Sequence, residues 1–288
     1  MLADLLVARS YLQEERAGIS MSVQALEDRL GRELPLGSRH YRAWVGPTHH
    51  YDLMSATQFN LLTFLGLRED HYLLDLGCGS LRGGKLFLAY LLPGHYFGIE
   101  PEQWAIEEGI QLEVGKDLID IKLPTFSNDR NFTLSIFNRE FDFILAQSIL
   151  SHTSQAQIKR VLSEAKKVMK PSSVFAATFL QGDHNYIGEG WVYPECISYT
   201  QEYMVQLVEE QGLSCRIIPW KHPNQQTWMV IVRQDYQGNI LESADQLPFL
   251  RTELDACKER LALIQQHPYV KFGMAVKALL QKVKKAGK

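Results

Sequence analysis

From Leu2 to Leu34 the apolar residues Leu2, Leu5, Leu6, Val23, Leu26 and Leu30 recur at helical intervals, with Ser20 and Ser22 placed to cap. Two short helices are predicted there. Pro35, Gly37, Gly46 and Pro47 then break the pattern around HYRAWVGPTHHYD, an aromatic and histidine-rich stretch that reads as an irregular loop, either a lid or a linker. Near Ser55 the pattern changes. Short apolar runs (YLLDL, YFGI, FDFILA, VFAATF) alternate with helix-period segments (KLFLAYLL, WAIEEGIQLEV and a long one after Thr153 or Ser154). Such alternation is the mark of a parallel sheet with crossover helices. The long helix carries Ile158, Val161, Leu162, Ala165, Val168 and Met169 on one face, with Pro171 just past its end. Another helix starts after Thr200, carries Met204, Leu207 and Val208, and stops at Gly212. The runs SCRII and WMVIVR, joined by PWKHPNQQT, then predict an antiparallel hairpin that closes the sheet.

Past Gln234 the spacing turns helical again. Leu247, Leu250, Leu254, Cys257, Leu261 and Ile264 form a short heptad seam, which would either pack on the main domain or pair two copies into a homodimer through residues 247–264. The final segment KFGMAVKALLQKVKKAGK is basic and amphipathic, fit for a solvated helix or for contact with an anionic membrane or acidic partner. The expected organisation is a helical cap or lid over 1–54, a main domain over 55–235 and a helical tail over 236–288.

Composition narrows the classes. A chain of 288 residues that is 45% hydrophobic and 22% charged can build a sizeable core. The formal charge of −3 gives no general attraction to polyanions, so a nucleic-acid partner is not expected. Four cysteines far apart, with no CxxC pair, indicate neither a zinc site nor a disulfide framework. No HxxxH or acidic cluster points to a metal. Asp4 and Arg9 interrupt the stretch where a signal peptide needs apolar residues, and no run is long enough to span a bilayer, so a cytoplasmic location is expected.

The segment LLDLGCGSLRGG, residues 73–84, joins a hydrophobic strand to a glycine-rich turn and a helix expected near Leu81. Gly77 and Gly79 remove side chains where main chain bends and approaches a ligand, and Cys78 is small enough to sit between them. The dinucleotide fingerprint GxGxxG would need glycine at position 82, where the chain has Arg82, and no GK[ST] follows. Asp75 lies at the end of the first strand, and Glu100 ends the next, YFGIE, where an acid can accept from both hydroxyls of a ribose.

LLDLGCGSLRGG, FGIEPE and FDFILAQSILSH resemble the first, second and fourth strand motifs of class I S-adenosylmethionine-dependent methyltransferases. With QFNLLTFLGL and AQSILSH, the chain is most similar to the branch found beside bacterial polysaccharide and natural-product genes. The resemblance covers roughly residues 55–235. It implies a Rossmann-like α/β fold with a seven-stranded sheet and S-adenosyl-L-methionine as cofactor. It further implies that Gly77, Cys78 and Gly79 line the methionine moiety with Asp75 nearby, and that Glu100 holds the ribose. Asp129, in TFSNDRNF, matches the position that contacts the adenine amino group, while Ala146 and Gln147 would flank the cofactor. Arg82 would pair either with the cofactor carboxylate or with Asp75 or Glu100.

Methyl transfer asks mainly for alignment of donor and acceptor. A hydroxyl acceptor also benefits from a base, and histidine is the usual choice. His152, shortly after the fourth strand, is the first candidate, and His184, beside Asp183 after the fifth, the second. His49, His50 and Tyr51 could close over the cofactor. The expected activity is O-methylation of a small-molecule or glycan acceptor. The alternatives are N-methylation of a small molecule or peptide, a nicotinamide-dependent oxidoreductase, and a non-catalytic adaptor that keeps the fold.

Overall fold

The computed structural model describes residues 30–238. The heptad seam at 247–264, the basic tail and most of the N-terminal helical pattern lie outside the described residues. Eight strands form one sheet: β1 (Leu73–Leu76), β2 (Tyr96–Ile99), β3 (Thr125–Ser127), β4 (Phe141–Ala146), β5 (Met169–Gln181), β6 (Ser198–Tyr199), β7 (Leu213–Ile218) and β8 (Thr227–Arg233). Their order is β3-β2-β1-β4-β5-β8-β7, and the two-residue β6 adds a short parallel pairing on β5 beyond the expected seven strands. The first five strands are mutually parallel, and β8 is antiparallel to both β5 and β7. The hairpin read from SCRII and WMVIVR is therefore present, with its second strand inserted between β5 and β7.

This order creates the site. Strand β1 lies between β2 and β4, so the chain leaves β1 toward one side of the sheet and returns at β4 on the other. Where the order reverses, the loops leaving the carboxyl ends of neighbouring strands splay apart and open a crevice. β1 and β4 are almost wholly buried, as strands covered on both faces must be.

The helices are α1 (Tyr41–Trp44), α2 (Tyr51–Phe64), α3 (Gly84–Tyr90), α4 (Gln103–Gly109), α5 (Lys116–Lys122), α6 (Gln155–Val168) and α7 (Gln201–Glu210). Helix α6 has a capping box, in which Ser154 and Gln157 satisfy each other's main-chain donors, and it buries Ile158, Val161, Leu162, Ala165 and Val168 against the sheet. Burying each such side chain contributes about 1.5–3 kcal/mol, which outweighs any propensity term. Thr200 caps α7 by accepting from the Tyr203 amide, and Gly212 follows that helix at φ +65°.

Two local expectations shift. The helix after the glycine turn starts at Gly84, three residues later than read, because Leu81 sits at φ +60° and prolongs the turn. The segment WAIEEGIQLEV ends as a π-helical turn over Ile110–Val114. Helix α2 holds Met54, Ser55, Gln58, Leu61 and Leu62 among its buried residues. Ionic contacts join α1 and α2 to α3 and to the π-helical turn. Glu113 accepts from Arg42 and, at 3.1 Å, from Lys85, while Lys85 reaches Asp52 at 2.6 Å. The Arg42 guanidinium also lies 4.4 Å from the Tyr51 ring centre.

Candidate active site

One cavity of about 650 Å³ opens at the reversal point of the sheet. Its floor is the turn after β1. Gly77 (φ +74°) and Gly79 (φ +54°) both donate their amides: the Gly77 N–H to the Ile99 carbonyl at 2.8 Å and the Gly79 N–H to Glu100 Oε2 at 3.0 Å. A Cβ on Gly77 would come within 2.1 Å of the Ile149 side chain, and one on Gly79 within 2.4 Å of Val45. Glycine is required at both positions by backbone angle and by space.

Glu100 lies just past β2. Its second oxygen accepts from the Glu102 amide at 3.0 Å. Burial pushes its carboxyl up to about 7, against the pull of the two amide bonds. Asp129, after β3, is held by the amides of Asn131 and Thr133, each at 2.8 Å to Oδ2. Both acids line the cavity.

Arg82 is buried, and its guanidinium meets a carbonyl and an amide instead of a carboxylate. Nη1 donates to Val45 O and Nη2 to Gln147 Oε1, both at 2.5 Å. Its Nε has no hydrogen-bond partner. Burial lowers the group to about 10. A guanidinium in this condition is a binding opportunity for an anion, because the desolvation of Nε is uncompensated. Gln147 also accepts from Gln58 Nε2 at 3.0 Å.

The opposite wall is assembled from a loop. Main-chain hydrogen bonds stitch residues 190–197 onto the chain after β4: Ser154 N to Gly190 O, Val192 N to His152 O, and Ile197 N to Ser151 O. This places the Trp191 and Tyr193 ring centres 5.3 and 5.2 Å from that of His152. Trp44, from the N-terminal segment, packs on Tyr193 at 4.9 Å and takes a hydrogen bond on its carbonyl from the Tyr193 hydroxyl. His152 is buried, with Nδ1 2.9 Å from both the Val192 and the Glu195 carbonyls. Two acceptors fix the proton on Nδ1, which leaves Nε2 with a lone pair and only the Cys196 thiol near it, at 4.0 Å. Burial holds His152 below the ordinary histidine range, against the pull of the two carbonyls, and so neutral at pH 7.

The structure thus brings Gly77, Gly79, Arg82, Glu100, Asp129, Gln147 and His152 to one cavity. It does not bring Asp75, Cys78, Ala146 or His184 to the lining. The Asp75 carboxyl turns into the protein and accepts from the Tyr96 hydroxyl at 2.7 Å; burial raises it to about 6. The Cys78 thiol is buried against Gly98. Ala146 is fully buried. His184 is exposed on the loop after β5 and is not in the cavity lining, although Trp191, Tyr193 and Cys196 of the same loop are. His50 instead ties the N-terminal segment to Asn224 at 2.6 Å. Arg82 makes neither of the acid contacts open to it in the sequence. Sequence reasoning missed Trp191 and Tyr193, whose one signal was the aromatic spelling WVY in a stretch with no periodicity, and it gave Trp44 no role of its own within the aromatic stretch read as a lid or linker.

Among the described residues no cluster of His, Cys, Asp or Glu could hold a metal ion, and no helix is long and apolar enough to cross a membrane.

Residues 74–175 match a family model described as a methyltransferase domain. Strand order and glycine turn agree with that match, which places a methyltransferase domain within residues 74–175. Among solved structures it is similar to the mitomycin 7-O-methyltransferase MmcR, at 17% identity and TM-score 0.52, over 67% of this chain and 56% of that one. An S-adenosylmethionine-dependent methyltransferase from Clostridium acetobutylicum ATCC 824 is 14% identical at TM-score 0.48, over 64% of this chain and 92% of that one. The magnesium protoporphyrin IX methyltransferase of Synechocystis PCC 6803, with bound S-adenosylmethionine, is 14% identical at TM-score 0.49, over 72% and 90%.

Proposed function

We propose that this protein methylates the hydroxyl oxygen of a small-molecule acceptor, with His152 as the base. The observation that carries the reading is a neutral, tautomer-fixed histidine, its Nε2 met by the Cys196 thiol at 4.0 Å, in the lining of the same cavity as the glycine turn and Glu100.

The methyl donor on this reading is S-adenosylmethionine, and the cradle fits it. Gly77 and Gly79 present bare main chain that a Cβ would obstruct, and the unpartnered Arg82 Nε offers a donor to a carboxylate. On this reading the two glycines hold the methionine moiety, Arg82 its carboxylate, Glu100 the ribose hydroxyls and Asp129 the adenine amino group, with Gln147 beside them. Asp75, Cys78 and Ala146 support the turn from beneath. When bound, the cofactor supplies a sulfonium methyl with a good leaving group. The chain's own work is positioning and proton handling. Glu100 must be ionised to accept from a diol. His152 accepts the hydroxyl proton at Nε2 while the Val192 and Glu195 carbonyls stabilise the imidazolium that results. The aromatic wall excludes water from the acceptor oxygen.

Calorimetric titration of the full chain with S-adenosylhomocysteine, S-adenosylmethionine and the oxidised nicotinamide dinucleotide tests the cofactor assignment. Saturable heat is expected with the first two. Heat with the dinucleotide alone would overturn it. Mass spectrometry of small molecules labelled by the enzyme in an extract then reads whether the methyl sits on oxygen.

A further inference from the structure

Resting on that reading, we infer that the acceptor is a planar aromatic hydroxy compound, and that Trp191 and Tyr193 hold its ring beside His152. The first observation is the wall itself. Within it the rings of Trp44, Tyr193, His152 and Trp191 form a continuous chain of contacts at 4.9, 5.2 and 5.3 Å, and Phe132 extends it from Trp191 at 6.5 Å. Trp191 is 46% exposed although it lines a cavity. An indole left open in this place gains by covering its face with a flat ligand.

The second observation is independent and concerns what the wall lacks. A sugar presents several hydroxyls, each of which gives up water on entry and must find a partner. Several polar atoms on this side of the cavity are already bonded within the protein. The Tyr193 hydroxyl donates to Trp44 O, Gln157 Oε1 closes the α6 cap, and Gln226 joins Thr178 to Ser151 at 2.6 and 3.2 Å. His152 Nε2, with the Cys196 thiol at 4.0 Å, is the base this reading offers to one hydroxyl proton. A base set among aromatic rings matches a phenol better than a glycan.

The test uses the full chain saturated with S-adenosylhomocysteine, with 2-naphthol and methyl glucoside as probes and tryptophan fluorescence as readout. Saturable quenching by 2-naphthol is expected, with the glucoside at least about tenfold weaker. Trp191→Ala should weaken naphthol binding by about two- to tenfold, the range of an aromatic pair, and leave the calorimetric affinity for S-adenosylhomocysteine unchanged. Glucoside binding as tight as naphthol, or an unaltered naphthol titration in Trp191→Ala, would overturn the proposal. Absence of S-adenosylhomocysteine binding in the wild type would instead strike the cofactor reading beneath it.

Discussion

The two halves of the cavity are built by different means. The half that includes the glycine turn, Glu100 and Asp129 is made at the ends of three adjacent parallel strands, and its decisive contacts are main-chain ones. The half that includes His152, Trp191, Tyr193 and Trp44 is made of side chains from three distant segments, held by loop-to-loop hydrogen bonds. A surface made of backbone at strand ends is nearly independent of side-chain identity, so it suits a constant ligand. A surface made of loop side chains can be changed residue by residue without touching the sheet, so it suits the variable one.

The largest effect should come from the acceptor half. His152→Ala is expected to lower kcat by about 10²–10⁴-fold, the usual worth of a positioned base, and to leave the calorimetric affinity for S-adenosylhomocysteine as it was. Equal loss of affinity would mean that the halves are not separable. Glu100→Ala should do the reverse. Leaving buried hydroxyls unpaired costs about 1–3 kcal/mol, so binding should weaken by about 10- to 100-fold, seen in the same titration.

A pH series sharpens the contrast. Glu100 has its folded pKa raised to about 7, so the ionised form that accepts from a diol is populated only as pH rises through that value. Cofactor-product affinity is expected to climb severalfold between pH 5.5 and 8, and to be flat in Glu100→Gln. The same shift makes the protonated carboxyl the favoured folded form. Its stabilising contribution is full below the usual carboxylate range and is lost as pH rises through about 7, so the apo protein gives up stability over the window in which it gains affinity. The smallest effect is reserved for His184→Ala. An exposed residue away from the cavity should change neither kcat nor affinity by more than about twofold, which a steady-state assay checks.

The cofactor half was legible because its information is contiguous. LLDLGCGS places strand, turn and two required glycines within a few residues, and Glu100 follows one β-α-β step later. Even so, the Asp75 and Cys78 side chains fall outside the cavity lining. Residues that alternate along a strand and through a turn face opposite sides, and only the three-dimensional path shows which side holds the cavity. Arg82 was read with two equal options. In the structure its guanidinium meets Val45 O and Gln147 Oε1 and neither Asp75 nor Glu100.

By itself the sequence determined the alternation of strands and helices, the terminal hairpin, the caps of α6 and α7 and the glycine cradle. Each of these is governed by local backbone sterics or by the spacing of apolar residues a few positions apart. Tertiary structure alone decided that His152 presents Nε2 with its proton held on Nδ1, that His184 stays outside, and that Trp44 meets Tyr193. Those outcomes rest on main-chain carbonyls at residues 192 and 195 and on packing between segments about 150 positions apart. No local pattern encodes the partner of a loop side chain, because its energy is realised only when the sheet has brought both loops to the same crevice.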